Sequence, residues 1–483
     1  MNAVFRYRPA AALLTNHEEL KNREIYFAPP SELNDPLDGF KDIYWKGDAI
    51  LWNGLLKHYL LCLLQTVLDA MVSSKADEIA DRSYVFSAES LLPTPQLKQA
   101  FRRAWDHFRA HPDVAPLPGL LAARKHPVRR YELSALLRVM HLHAVNSARA
   151  ALDEATPGAP PRTADDLLTQ ASKEPLPCRQ LAEANIAAER QNPRGPHATE
   201  ALAAIAESFA AERDLLFAHR KVPLWENHPW KTVLYDFPAS YVLQLEQLLY
   251  QDWYTACFVE SPDDAAMWGN YGDSHKGICL KFRTHPNADG TPCLRLQHAT
   301  THGGSHRPAE NLYPLNKVKY RAAFIGVDFF RSLGALTRPM LDFWCRDETG
   351  KPSPRVAGIL AEKPSWRKRY WATFERAIAT KLKDWKHERE HRLTLHSQLG
   401  LFATPAERKL IYRFEDLQGI IFGLNTQTED KLAIIQRIEQ MCAASARTDF
   451  EFHQAMFLAQ RGKMVHVPLR QLKFASSIPT STA

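Results

Sequence analysis

The feature that most constrains the fold is a change of character across residues 49–250, which separates two regions rich in β-forming residues. Inside it Ala, Leu, Glu, Arg and Gln dominate, and apolar residues recur at three- and four-residue spacing, as at Leu133, Leu136, Leu137 and Met140. That is the period of an amphipathic helix built from strong helix formers. A chain that opens on strands, turns helical for this length and returns to strands is expected to be α+β. We expect a split mixed-sheet domain, made of N-terminal strands and the C-terminal half, interrupted by a large all-helical insertion. The expected boundaries are 1–48 for the first part of the α+β domain, 49–250 for the insertion, 251–470 for the second part and 471–483 for a frayed tail. Proline-rich breaks at 91–95, 111–118 and 156–163 divide the block, the last reading as an exposed linker. No repeat of fixed period appears, which argues against a solenoid.

A chain of 483 residues exceeds one ordinary core, and its 45% hydrophobic and 24% charged residues are globular values. The formal charge of +7 permits an acidic or phosphate-bearing partner without demanding one. Seven scattered cysteines with no Cys-x-x-Cys pair suit a reducing cytoplasm and give no structural zinc site. The N-terminal residues lack the pattern of a secretory signal, so a cytoplasmic location is expected. The most apolar run, 49–73, contains Asn53, Lys57, His58, Gln65 and Asp69, each costly inside a bilayer. A buried helix is therefore expected there, with no membrane contact. His298, His302 and His306 have helical spacing, but Gly303 and Gly304 break a helix between them, and no metal is expected.

Several segments read as local structure. Residues 3–8 form a strand, 10–20 a short helix and 24–28 a second strand ended by Pro29 and Pro30. Asn34 and Asp35 before Pro36 suit an Asx-turn, with Asp38 placed at the mouth of any nearby cleft. Residues 254–260 and 278–282 read as strands around a turn that holds Trp268 and Tyr271 between Gly269, Gly272 and Gly277. Lys317 to Tyr320 reads as a strand, and Trp371, Phe374, Ile378, Leu382 and Trp385 trace one face of a helix. That helix leads into a strand over 386–395, where Glu388, Glu390 and Arg392 fall on one side and His387, His391 and Leu393 on the other. Residues 417–424 read as a buried strand, 428–443 as an amphipathic helix, 450–457 as further helical packing and 464–469 as a last strand.

Taken together, Phe5-x-Tyr7, Ile25-Tyr-Phe with Leu33-Asn-Asp-Pro-Leu-Asp38, Trp268-x-x-Tyr271 with Lys276-Gly-Ile-Cys-Leu280, Lys317-Val-Lys-Tyr320, Trp385-x-x-Glu388-x-Glu390-x-Arg392-Leu393 and Gly419-Ile-Ile-Phe-Gly423 resemble a widespread bacterial family catalogued as a domain of unknown function. The resemblance covers residues 1–47 and 252–469 and carries no activity with it. A more distant resemblance is to ADP-ribosyltransferase-like domains, which use an Arg or His on an early strand, a Ser, Thr or Tyr on a middle strand, and a Glu, often within Glu-x-Glu, on a late strand. Arg6 with Tyr7, Tyr254 with Thr255, and Glu388-Arg-Glu390 occur in that order. The chain departs from the pattern at Thr255-Ala-Cys, where Ser-Thr-Ser is usual.

That second resemblance implies NAD as a cosubstrate. Cleavage of its nicotinamide bond creates an oxocarbenium-like ribose, which a carboxylate stabilises, and Glu390 is the candidate, with Glu388 and Arg6 beside it. Arg6 suits a pyrophosphate or ribose through its planar fork. Tyr7, Tyr254, Thr255, Trp268 and Tyr271 are candidates to contact the cofactor, with Asn34, Lys276 and Arg392 as polar contacts. The expected function is an ADP-ribosyltransferase-like or NAD-consuming effector of a toxin or antiphage defence system acting on a protein or nucleic-acid target. Two other classes stand beside it. Ten Lys/Arg against four Asp/Glu over 363–392, interleaved with Trp366, Tyr370, Trp371 and Trp385, suit a nucleic-acid-binding module without catalysis. A protein scaffold or sensor would instead use the helical block to hold a partner.

Overall fold

The computed structural model describes residues 2–474 apart from 74, 81, 83, 156–175, 192–196, 223–226, 299–309, 398–400 and 473. His302, His306, the linker expected at 156–163 and most of the tail expected at 471–483 lie outside the described residues. The fold is α+β. The chain divides into two compact units: Met1–Phe40, Gln251–Ile325 and Glu375–Ala483 form a sheet unit, and Lys41–Tyr250 with Gly326–Phe374 form a mainly helical one.

The larger sheet of the first unit runs Asn316–Lys317, Glu390–His396, Trp253–Val259, Ala3–Arg8, Ile278–Arg283, Leu417–Phe422, Glu451–Leu458, Lys463–Pro468. Only Leu417–Phe422 and Glu451–Leu458 are parallel neighbours, and the helix Thr428–Ala444 makes the crossover that a parallel pair requires. A smaller sheet places Lys409–Tyr412 between Glu24–Tyr26 and Pro292–His298. Side chains alternate along each strand. Val4, Phe258, Leu280, Leu393 and Ile420 therefore point into the main core with Ile25, Leu294 and Leu410 of the smaller sheet and Ile434 and Ile438 of the helix. Phe5, Tyr7, Val259, Cys279 and Ile421 point the other way, where Met267 and Trp268 cover them.

Trp268 reaches that face from a six-residue helix, Ala265–Asn270, capped by Asp264, whose carboxylate accepts from the amides of Ala266 and Met267. Its indole is fully buried, donates to the Pro262 carbonyl at 2.7 Å and meets the Tyr7 ring edge-on at 4.9 Å between centroids. The chain then turns back through Asp273, Ser274 and His275, with φ of 50, 53 and 67°. Gly277 closes the turn because a Cβ there would stand 2.6 Å from the Arg8 carbonyl.

The second unit is built on Ala49–Val72, Pro95–Ala110, Arg130–Ala155 and His197–His219, with shorter helices between them. Ala49–Val72 is, among the described residues, the one helix long and apolar enough to cross a membrane, and 67% of its most apolar window is buried inside the protein. The unit also differs from an all-helical insertion over 49–250. Gly326–Asp328 pairs in parallel with Asp42–Trp45, which pairs with Val128–Arg129. Phe329 and Phe330 then pack against Trp45 and Trp52, each with centroids 5.5 Å apart, and this aromatic cluster draws 326–374 into the helical unit. Gly54 permits it, since a Cβ there would lie 2.2 Å from the Trp344 carbonyl.

Other local expectations also change. Residues 450–457 were expected to extend helical packing, but Glu451–Leu458 is a sheet strand whose residues find backbone partners on both sides. Lys317–Tyr320 is two strands, Asn316–Lys317 and Lys319–Arg321, which enter different sheets. The helix expected to run through Trp385 ends at Ile378, and Thr380–Leu382 pairs in parallel with Lys319–Arg321.

Candidate functional site

The site lies where the larger sheet splits. Ala3–Arg8 pairs with Trp253–Val259 through one residue pair only, Phe5 with Val259. Four residues along, Ala28 takes the place of the first strand and exchanges both backbone hydrogen bonds with Thr255, at 2.8 and 2.9 Å. The two-residue alternation of the strand then directs the amide and carbonyl of Cys257 into the gap. A cavity of about 280 Å³ occupies it. Phe5 and Tyr7 from one face of the first strand and Arg6 and Arg8 from the other line this cavity, with Asn34, Asp38, Cys257, Tyr271, Lys381, Glu388 and Glu390.

One wall is a buried ionic cluster. Glu390 opens its strand, and its carboxylate accepts from Arg392 Nε at 2.7 Å and Nη2 at 3.0 Å. Arg392 also donates to Asp38 at 2.7 and 2.6 Å and to the Ile378 carbonyl at 2.8 Å. Lys381 Nζ donates to Glu388 at 2.7 Å and stands 3.5 Å from both Glu390 and Asp38. The other oxygen of Glu388 accepts from the Tyr271 hydroxyl at 2.5 Å, and that hydroxyl is 2.9 Å from the Asn34 carboxamide. Three carboxylates facing two cations leave the cluster one negative charge in excess, and the Arg6 guanidinium on the facing wall of the cavity offsets it.

The two glutamates differ in proton affinity. Burial pushes Glu390 up, but the Arg392 guanidinium outweighs it and holds the carboxyl at about 2. Burial leaves Glu388 above its ordinary value despite the pull of Lys381. Burial opposes the charge on Lys381, but Glu390, Glu388 and Asp38 hold it above the ordinary lysine range. A fixed anion and a carboxyl nearer to neutrality thus stand side by side, which is the separation that acid–base chemistry uses.

The facing wall carries Arg6. It is 8% exposed, and Nη2 donates to the Tyr26 carbonyl at 3.1 Å. Nη1 is buried with no hydrogen-bond partner among the described residues, as is the Tyr7 hydroxyl. Burial, then repulsion from Arg8, lowers the Arg6 pKa to about 10, so it stays cationic at neutral pH. A buried donor left unpaired costs roughly 1–3 kcal/mol, and a ligand acceptor recovers it.

Of the residues expected at a site, Arg6, Tyr7, Asn34, Thr255, Tyr271, Glu388 and Glu390 line this one cavity. Four do not. Tyr254 is buried in the main core under the Arg408 guanidinium, 4.1 Å from its ring centroid. Trp268 is buried behind Tyr7, and Lys276 is exposed on the turn. Arg392 is 1% exposed with its donors committed to protein groups, so it braces the carboxylates instead of reaching a ligand. Thr255 touches the cavity, but its hydroxyl donates to the Leu393 carbonyl at 3.1 Å. Glu388 reaches the cluster by a route other than strand alternation. It ends the 3₁₀ turn Lys383–Glu388, and Arg389, at φ 48°, swings the chain into the strand. Lys381 was not anticipated, being one of ten basic residues over 363–392 with nothing local to mark it.

Comparison with protein-family models, curated proteins and solved structures gives no match.

Proposed function

We propose that the split-sheet cavity is the active site of an ADP-ribosyltransferase-like or NAD-consuming effector. One observation carries the reading: Arg6, Tyr271, Glu388 and Glu390, drawn from distant parts of the sequence, line a single cavity. Its 280 Å³ suits the nicotinamide and its ribose, with the remainder of the dinucleotide at the open mouth. The orphaned Arg6 Nη1 supplies a donor for a phosphate or ribose oxygen. The Glu388 and Glu390 carboxylates on the wall across from Arg6 would favour the oxocarbenium-like ribose by their proximity.

In this reading the bond between ribose C1′ and the nicotinamide nitrogen breaks, its electron pair leaving with neutral nicotinamide. Water or a target nucleophile attacks C1′ and gives its proton to Glu388, whose raised pKa suits a proton acceptor. Both oxygens of Glu390 are held by the Arg392 guanidinium, whereas one oxygen of Glu388 is held by Lys381 and the other by the neutral Tyr271 hydroxyl, the partner that substrate would displace, and Glu390 fixes the cluster. The resemblance to domains used in toxin and antiphage systems supports an effector role.

Incubation with NAD should release nicotinamide. Glu388→Gln, which keeps the side chain's shape, should lower the rate by roughly 10²-fold or more with the melting temperature retained. Undiminished turnover in Glu388→Gln removes this assignment, and absence of turnover with tight, unreacted binding points to a binding module.

A further inference from the structure

A second hollow lies wholly within the helical unit. It has a volume of about 170 Å³ and is lined by Arg331, Arg355 and Arg369 with Ser365 and Trp366, against the apolar back wall of Val356 and Ile359. The three arginines come from three separate segments. Arg331 follows the Phe329-Phe330 pair, Arg355 lies in the 3₁₀ turn Pro354–Val356, and Arg369 lies in the helix Pro364–Ile378. The hollow is braced: the Trp366 indole donates to the Arg331 carbonyl at 2.9 Å, and the Ser353 hydroxyl accepts from the Arg355 amide at 3.3 Å.

The charge around it is unbalanced. Arg355 pairs with Asp328 at 2.6 Å, while its Nε is buried without a hydrogen-bond partner among the described residues. Among the described residues neither Arg331 nor Arg369 has a carboxylate at ion-pair distance. Three guanidiniums against one carboxylate give an excess of two positive charges around a space a few atoms across. Guanidinium forks match the several oxygens of a tetrahedral anion, and the Ser365 hydroxyl adds a donor beside them.

We propose that this hollow binds the phosphate monoester of a small ligand. Its volume of about 170 Å³ admits a phosphoryl group with part of the moiety it is esterified to, whereas a polymer backbone needs a continuous groove. The aromatic residues that suggested nucleic-acid stacking are engaged within the protein: Tyr370 is buried, with Trp366 and Trp371 packed on it at 5.2 and 5.1 Å between centroids, and the Lys381 ammonium lies 4.8 Å from the Trp385 ring centroid. Of the ten basic residues over 363–392, Arg369 faces this hollow, while Lys381 and Arg392 belong to the carboxylate cluster of the split-sheet cavity.

Calorimetric titration of the full chain with inorganic phosphate, AMP and a single-stranded oligonucleotide tests the proposal. Phosphate or AMP should bind at one site per chain, weakened at least roughly tenfold in both Arg331→Gln and Arg369→Gln and unchanged in Arg6→Met, which separates this hollow from the split-sheet cavity. Equal affinity for phosphate and AMP identifies the free ion as sufficient, and tighter AMP identifies a nucleotide ester; either supports the site. Lack of binding, or binding indifferent to both substitutions, overturns it. Tighter binding of the oligonucleotide than of AMP, with affinity falling steeply with salt, overturns it in favour of a nucleic-acid surface. Arg369→Lys retains the charge without the fork and should bind with intermediate affinity, which keeps the test open should a glutamine variant fail to fold.

Discussion

Both units bury polar side chains, but the two buried-histidine networks of the helical unit are closed, whereas the Arg6 wall of the split-sheet cavity is left open. In the helical unit, His58 lies between the Tyr241 hydroxyl and the Val85 carbonyl, both at 2.9 Å. His141 lies between the Tyr59 hydroxyl at 2.7 Å and the Val233 carbonyl at 2.6 Å. A carbonyl only accepts, so each Nε2 carries the proton and each Nδ1 accepts from tyrosine. Neutral rings are fully satisfied. Arg124 is likewise enclosed by Glu132 and Glu189. In the sheet unit Arg392 is closed in the same manner, yet across the cavity Arg6 and Tyr7 keep buried donors without partners. Closed networks hold a unit together, whereas unpaired donors that also line a cavity are placed to take a ligand.

The largest effect expected from this contrast follows removal of the closed arginine. Arg392→Met strands Asp38 and Glu390 beside Lys381 and should cost about 3–5 kcal/mol in urea denaturation. A loss below roughly 1 kcal/mol would break the distinction between bracing and binding arginines.

Acidification should open the closed histidine networks. Burial lowers His58 to about 3 and His141 to about 4 from an ordinary 6.5. Their unfolded forms bind protons first, so this stability is present above pH 6.5 and falls as pH drops, by up to about 1.4 kcal/mol per pH unit for each ring. Glu390, lowered from 4.5 to about 2, loses its contribution only in that more acid window. Glu388, which is raised, works in the opposite sense: its effect favours folding at low pH and fades as pH rises. Burial lowers His391, His396 and His453 of the sheet unit in the same direction, so both units should weaken over this range, as followed by urea midpoints between pH 7 and 4, and His58→Leu should flatten that slope. A midpoint independent of pH over that range contradicts the assignment.

Smaller effects sharpen the contrast at the cavity. Tyr271→Phe removes one donor from Glu388 and should cost about 0.5–1.5 kcal/mol in thermal unfolding. Arg6→Met should change stability least, by roughly 0.5 kcal/mol or less, because loss of the Nη2 bond to the Tyr26 carbonyl is offset by removal of the unpaired buried Nη1 donor. Nicotinamide release should nonetheless collapse in that variant. A large stability loss would make Arg6 another bracing residue.

Local signals in the sequence were sufficient for much of the sheet unit. β-forming residues located Ala3–Arg8 and Ile278–Arg283, an apolar run located Leu417–Phe422, and the order of Arg6 with Tyr7, Tyr254 with Thr255 and Glu388-Arg-Glu390 drew attention to residues of which all but Tyr254 and Arg389 line one cavity. What stayed hidden depends on long-range pairing. Arg392 meets Asp38 across 354 positions, so its bracing role has no local signature. Nothing near Lys381 distinguishes it from the surrounding basic residues. The departure of Glu388 from strand alternation rests on a positive φ at Arg389, a residue type that gives no warning of one. Residues 326–374 join the helical unit through a three-residue strand, Gly326–Asp328, too short to register as a pattern.

The turn at Asp273, Ser274 and His275 has a consequence for which substitutions the chain can accept. Three successive L-residues at positive φ form a short stretch of the mirror-image helical hand, held by the Asn425 amide on the His275 carbonyl at 2.9 Å and the Gly423 amide on the Gly277 carbonyl at 3.1 Å. Handedness therefore filters the alphabet here. Gly, Asn and Asp pass, whereas Val, Ile and Thr, whose branched Cβ crowds the backbone in this region, are excluded although each would fit the space on an exposed surface. The rim that presents Tyr271 to the cavity can thus vary in charge and polarity while remaining closed to an entire class of side chains.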